Sequence, residues 1–115
     1  MKKEKSYNKV ILEVLGTKPI AFNPVLAKLA KSTTAGLFMS QLLYWWDKGK
    51  EEGWIFKTIE EINRETYLNR SEQDRAIKAW KSLGILEVKL IGLPAKRHFK
   101  INIETLIARL SKQVC

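Results

Sequence analysis

The spacing of apolar residues changes once in the second half of the chain. Through residues 58–83 they recur at three- and four-residue intervals, and through residues 86–103 they alternate. Thr58 with Glu61 fits a capping box, which predicts a helix starting at Ile59 with Ile59 and Ile62 facing a core. Leu68 is the lone apolar residue of the turn that follows and is expected to set the angle between two helices. Ser71 with Asp74 is a weaker start signal of the same kind. The second helix, residues 71–83, carries Ala76, Ile77, Trp80 and Leu83 on one stripe, and Gly84 stops it. In the alternating stretch Leu86, Val88 and Leu90 share one parity and Phe99, Ile101 and Ile103 share another, so these six are expected to pack on the helices. Glu87, Lys89, His98 and Lys100 then face outward. Gly92, Leu93, Pro94 and Ala95 form the turn, with Lys96 and Arg97 beside its tip.

The first half adds five helical or extended pieces. Residues 1–9 are polar and basic and read as a loose arm. Residues 10–15 are too short for periodicity to separate strand from helix end, and residues 20–22 read as extended. This segment is expected to pack on the outside of the domain or on a second copy. Asn23 followed by Pro24 is a helix start, with Val25, Leu26, Leu29 and Ala30 as its apolar stripe. Ser32 or Thr33 caps the next helix, residues 34–48. There Ala35, Phe38, Met39, Leu42, Trp45 and Trp46 form one broad face, and Leu37 and Tyr44 widen it. A helix apolar over so much of its circumference is buried on more than one side, in the core or at a dimer interface. The cluster Tyr44, Trp45, Trp46 could instead stack unpaired bases. Residues 47–53 are a polar loop and residues 54–57 a short strand that pairs with the hairpin to complete a three-stranded antiparallel sheet. Residues 104–112 form a last helix with Leu106, Ile107 and Leu110 inward. The expectation is one domain, mainly α within the α+β class.

The face of the second helix opposite its apolar stripe holds the candidate chemistry. At about 100° per residue, Ser71, Asp74, Arg75, Lys78 and Ser82 lie there, flanked by Arg70 and Lys81. Such a face can enter a major groove, where Arg reads guanine edges while Lys and Ser hold phosphates. Asp74 either accepts from cytosine or neutralises a neighbour. Taken alone, these charges also fit a solvated helix face. Lys89, Lys96, Arg97 and His98 on the hairpin add a second basic element, suited to the adjacent backbone.

A helix, a short turn, a second helix and a hairpin make a winged helix, which most often binds DNA. The run Thr66-Tyr67-Leu68-Asn69-Arg70-Ser71, then Arg75-Ala76-Ile77, Leu83-Gly84-Ile85-Leu86 and Gly92-Leu93-Pro94-Ala95-Lys96-Arg97 resembles winged-helix DNA-binding proteins of bacteria, archaea and their phages. With Phe22-Asn23-Pro24 and Leu42-Leu43-Tyr44-Trp45-Trp46, the chain looks most like the small winged-helix domains of phage and plasmid replication proteins. Among these are the replisome organisers related to the amino-terminal domain of DnaD. The resemblance runs from about Ile20 onward. It implies sequence-specific binding of double-stranded DNA in transcription regulation or replication initiation. Tyr67 stands where such proteins often have a glycine in the left-handed conformation.

Charge sharpens this reading. The 115-residue chain carries a net charge of +9. Residues 64–100 hold nine Lys/Arg against four Asp/Glu, so more than half of the excess lies on the proposed contact elements and points to a polyanionic partner. Cys115 is the lone cysteine and terminal, which excludes a disulfide framework within one chain and suits the cytoplasm. His98 is the lone histidine, without a metal-binding neighbourhood in sequence. No glycine-rich phosphate loop, nucleophile pair or unexplained carboxylate pair marks an enzyme; Glu61 has a capping role and Glu51-Glu52 sit in a loop. The longest uncharged run, residues 32–46, is short of the ~20 apolar residues that a bilayer needs. No signal segment, cofactor or small-molecule substrate is expected. The partner is DNA and the assembly a homodimer. The competing expectation is a protein–protein module of a replication complex with weak, non-specific DNA binding.

Overall fold

The structure, a computed structural model, describes residues 2–16, 20–48 and 53–114. Among these are six helices and three strands: α1 Lys2–Leu15, α2 Pro24–Ala30, α3 Thr33–Lys48, β1 Trp54–Phe56, α4 Ile59–Thr66, α5 Arg70–Ser82, β2 Leu86–Ile91, β3 Lys96–Ile101 and α6 Ile103–Val114. The strands form one antiparallel sheet in the order β1-β3-β2, a mixed α+β arrangement with β1 at an open edge. In its register Ile55 faces Phe99 from one side of β3 and Val88 from the other.

The core is built around α3. Phe38, Met39 and Leu42 are buried on it, and Phe38 meets Phe99 of the sheet edge-to-face at 5.7 Å. Trp80 of α5 is fully buried, and its indole Nε1 donates to the Ala35 carbonyl at 2.8 Å. The ring therefore fills the core while its one polar atom is satisfied. Helix α2 lies so close to α3 that a Cβ on Gly36 would sit 2.6 Å from the backbone of Ala27. Asn23 caps α2 by accepting from Val25 N, and the Asn23 amide in turn donates to Ser40 Oγ on α3. Of the two candidate caps for α3, Ser32 serves: its Oγ accepts from Ala35 N at 3.2 Å.

Several expectations require correction. Residues 1–9 were expected as a loose arm, but from Lys2 they belong to α1, which also settles residues 10–15 as helix. The segment holds no proline or glycine until Gly16, whose positive φ of 70° and bond to the Leu12 carbonyl end the helix. The described side chains of α1, residues 9–15, are all exposed. Helix α5 starts at Arg70, not Ser71, because Asn69 and Glu72 make a complete capping box two residues ahead of the weaker Ser71/Asp74 pair. Ile103 opens α6 instead of ending β3, since Asn102 accepts from Thr105 N and breaks the strand. Leu90 is 67% exposed, although its parity points inward, because the hairpin outruns the helices beneath it. Ile107 and Trp46, expected inward, are also exposed. Cys115, and residues 49–52 of the expected polar loop, lie outside the described residues.

Candidate nucleic-acid interface

Helices α4 and α5 are joined by residues 67–69, and this short connection is heavily determined. Thr58 and Glu61 form the expected reciprocal capping box on α4. Tyr67 ends α4 at φ 64°, ψ 8°, the left-handed conformation that glycine takes without cost. Its side chain is almost wholly exposed, so no core contact of the ring itself offsets the strain. Leu68 is buried as the plug of the turn. Its carbonyl accepts from Asn63 Nδ2 at 3.1 Å and from Gln73 Nε2 at 2.9 Å.

Gln73 is the residue that the sequence reading overlooked. It has no exposed surface, and its amide makes three bonds. Nε2 donates to the carbonyls of Ile59 and Leu68, and Oε1 accepts from Arg97 Nη2 at 2.6 Å. One side chain thus ties the start of α4, the turn and the hairpin to α5. The signal was present: residue 73 precedes Ala76, Ile77 and Trp80 at helical spacing, so a polar residue there lies on the core stripe and needs buried partners.

With Gln73, Ala76 and Trp80 holding the inner face of α5, the candidate residues Arg70, Ser71, Asp74, Arg75, Lys78, Lys81 and Ser82 are all exposed. Arg70, Ser71, Asp74, Arg75 and Lys78 line one shallow depression of about 450 Å³. Arg75 Nη1 reaches Ser71 Oγ at 3.4 Å, and Ser82 Oγ donates back to the Ala79 carbonyl. Among the described residues the one ion pair is Lys57–Glu65, so the cations of α5 are not neutralised by carboxylates within 4 Å. A larger depression of about 570 Å³ is lined by Leu29, Glu104, Thr105, Ala108, Arg109 and Lys112, none of them a candidate residue.

The hairpin cations do not act as a group. Successive strand residues point to opposite faces, so Lys96 and Arg97 cannot share one. Arg97 lies on the inward parity with Phe99 and Ile101. Its guanidinium sits 5.3 Å over the Phe99 ring, bonds Gln73, and leaves Nε and Nη1 buried without a partner. Burial lowers its pKa; Asp74 and Glu60 oppose that and Arg70 adds to it, which places Arg97 in the electrostatic neighbourhood of α5. Lys89, Lys96 and His98 lie on the outer face of the sheet, where His98 stacks on Phe56 at 5.1 Å and 22°. The end of the hairpin is more apolar than basic, with Leu90, Ile91 and Leu93 exposed.

Beneath these surfaces, a second polar cluster fixes α4. Glu65 accepts from Gln41 Nε2 at 2.7 Å, Trp45 Nε1 at 2.9 Å and Lys57 Nζ at 2.7 Å. The buried Lys57 ammonium also lies 3.6 Å from the Trp45 ring. Burial alone pushes the Glu65 carboxyl up, but the three donated bonds and the Lys57 charge together hold it below the ordinary glutamate range. Trp45 is therefore a structural member of the core margin.

Among the described residues no group of three or more His, Cys, Asp or Glu could hold a metal ion, and no helix is long and apolar enough to cross a membrane. Comparison with known proteins found no matching family model, curated protein or solved structure.

Proposed function

We propose that this chain is a winged helix-turn-helix protein that binds double-stranded DNA, with α5 as the helix that enters the major groove. The observation that carries the reading is the division of α5 into two faces. Gln73, Ala76 and Trp80 anchor one, and the other presents Arg70, Arg75, Lys78 and Lys81 in the open without carboxylate partners within salt-bridge range. A helix so anchored, with a surplus of cations on its outer side, has the form and charge of a groove-reading element. Arg75 and Lys78 lie nearest the bases, and Arg70, Lys81, Ser71 and Ser82 hold phosphates. Asp74, beside Arg70 and within the field of Arg97, moderates the charge of the same depression.

Arg97 acts here through Gln73, as the strut between hairpin and α5, more than as a phosphate contact at the tip. The biological setting is transcription regulation or replication initiation of phage or plasmid type, in the cytoplasm. Selection of bound sequences from a random duplex pool tests the reading. The parent is expected to enrich a defined site, and Arg75→Ala to relax preference at one position, at a cost of about 1–3 kcal/mol. A pool with no enrichment and a variant indistinguishable from the parent overturn it.

One observation favours a second reading, a self-associating module. Val10, Ile11, Leu12, Val14 and Leu15 of α1 are exposed together, an apolar surface of the kind that marks interfaces. In that reading α1 joins two copies and DNA binding is weak. Light scattering after size exclusion, beside a gel shift on random duplexes, separates the two: a dimer without duplex affinity at moderate salt selects the module. A dimer with affinity gives a homodimer that reads paired half-sites.

A further inference from the structure

The outer face of the sheet carries aromatic rings and lysines that α5 does not use. Trp54 and Phe56 alternate with the buried Ile55 on the edge strand β1, so both rings stand on the solvent side. Across the sheet Trp54 pairs with Lys100 and then Glu87, and Phe56 pairs with His98 and then Lys89. Lys89 and Lys100 place their ammonium groups 5.4 Å and 5.7 Å from the Trp54 ring, and Lys96 lies 5.4 Å from the Phe56 ring. Glu87 is the one carboxylate on the outward parity of the three strands.

We propose that this face is a second nucleic-acid surface, one that takes the unpaired bases of single-stranded DNA by stacking them on Trp54 and the Phe56–His98 pair. A base has an apolar face and a phosphate beside it, and Trp54 and Phe56 each have an ammonium within about 6 Å. A protein partner would need a larger apolar surface and would have to cover the lysines. Spacing selects the open strand. Trp54 and Phe56 are two residues apart on one face, about 7 Å. That is roughly twice the 3.4 Å rise between stacked bases of a duplex strand. Two consecutive bases can occupy both rings only after leaving each other's stack.

The surface is separate from the one on α5. Arg97, on the inward parity, reaches Gln73 of α5, whereas Lys96 and His98 on either side of it point the other way. The proposal goes beyond duplex binding and does not rest on it.

Binding of the full chain to a labelled oligothymidylate, to an abasic strand of equal length and to a duplex tests the proposal. The expected result is that oligothymidylate binds at least tenfold more tightly than the abasic strand. Phe56→Ala should weaken oligothymidylate binding by about 5- to 150-fold, the measured range for loss of one stacked base. It should leave duplex affinity within about twofold. Phe56→Trp, which keeps a stacking ring, should restore binding and confirms that the alanine effect is not loss of fold. Lys78→Ala should weaken the duplex and spare the single strand. Equal binding of abasic and base-bearing strands, an unaltered Phe56→Ala protein, or no single-strand binding at low salt overturns the proposal. Single-strand binding without duplex binding supports it and counts against the α5 reading alone.

Discussion

Replacing Gln73 by methionine tests the strut between helix and hairpin at nearly constant volume. The substitution removes two amide donors and the acceptor of the Arg97 bond. Two acceptors suffer little: Leu68 keeps its bond from Asn63, and Ile59 sits in α4, whose own ladder uses its carbonyls. Arg97 loses most. Its Nε and Nη1 are already buried without partners, so losing the Nη2 bond leaves the guanidinium with no acceptor in the fold. A hydrogen bond to a charged group contributes about 1.5–3 kcal/mol and a neutral one about 0.5–1.5 kcal/mol. Partial exposure lets Arg97 swing towards water, so the expected loss is about 2–4 kcal/mol, a large share of a domain's ~5–15 kcal/mol. Urea denaturation followed by tryptophan fluorescence measures it. In a double-mutant cycle, Arg97→Met should cost at least ~1 kcal/mol less beside Gln73→Met than in the parent. If Gln73→Met lies within ~0.5 kcal/mol of the parent and the two changes add, the strut does not hold the hairpin to α5.

Three further outcomes follow from the same packing. Glu65→Gln should lose about 2–3 kcal/mol, less than the ~3–5 kcal/mol of a fully buried pair, because Glu65 keeps some solvent contact. Because the folded-state pKa of Glu65 is depressed, its contribution is complete above the ordinary value of about 4.3 and is lost as pH falls through the lower folded value. Parent stability should therefore fall more steeply than that of Glu65→Gln in acid titrations, and parallel curves refute the network. Gly36→Ala puts a methyl 2.6 Å from the Ala27 backbone and should destabilise by at least ~1–3 kcal/mol despite the better helix propensity. Thermal melting reads this as a drop of several degrees. Tyr67→Gly should stabilise by about 0.5–1 kcal/mol, because relief of the left-handed backbone exceeds the entropy that glycine adds to the unfolded chain. Tyr67→Ala, equally strained, serves as the neutral control.

Much of the fold was legible because local chemistry agreed with the packing. The Thr58/Glu61 box, the Asn23-Pro24 start, the Ala76/Trp80 stripe and the three-stranded sheet all appear where periodicity and caps placed them. The misses have physical causes. Two capping boxes overlapped at α5, and the asparagine–glutamate pair formed because both reciprocal bonds close from Asn69. Alternation gave the correct parity for Leu90 but not how far the helices extend beneath the hairpin. Charge type grouped Lys96 with Arg97, whereas the pleat separates them. Tyr67 is the reverse case: the left-handed conformation survives without the glycine that usually marks it, held by the bonds of Leu68, Asn63 and Gln73 around it.

The central claim, that the exposed face of α5 lies on duplex DNA, is tested most directly by the salt dependence of duplex affinity. The logarithm of affinity should fall with the logarithm of salt concentration at about −0.9 per phosphate neutralised, and each removal of Lys78 or Lys81 should make that slope shallower by about 1. A slope that Lys78→Ala and Lys81→Ala leave unchanged, in a chain that still binds duplex, would place the DNA on some other surface.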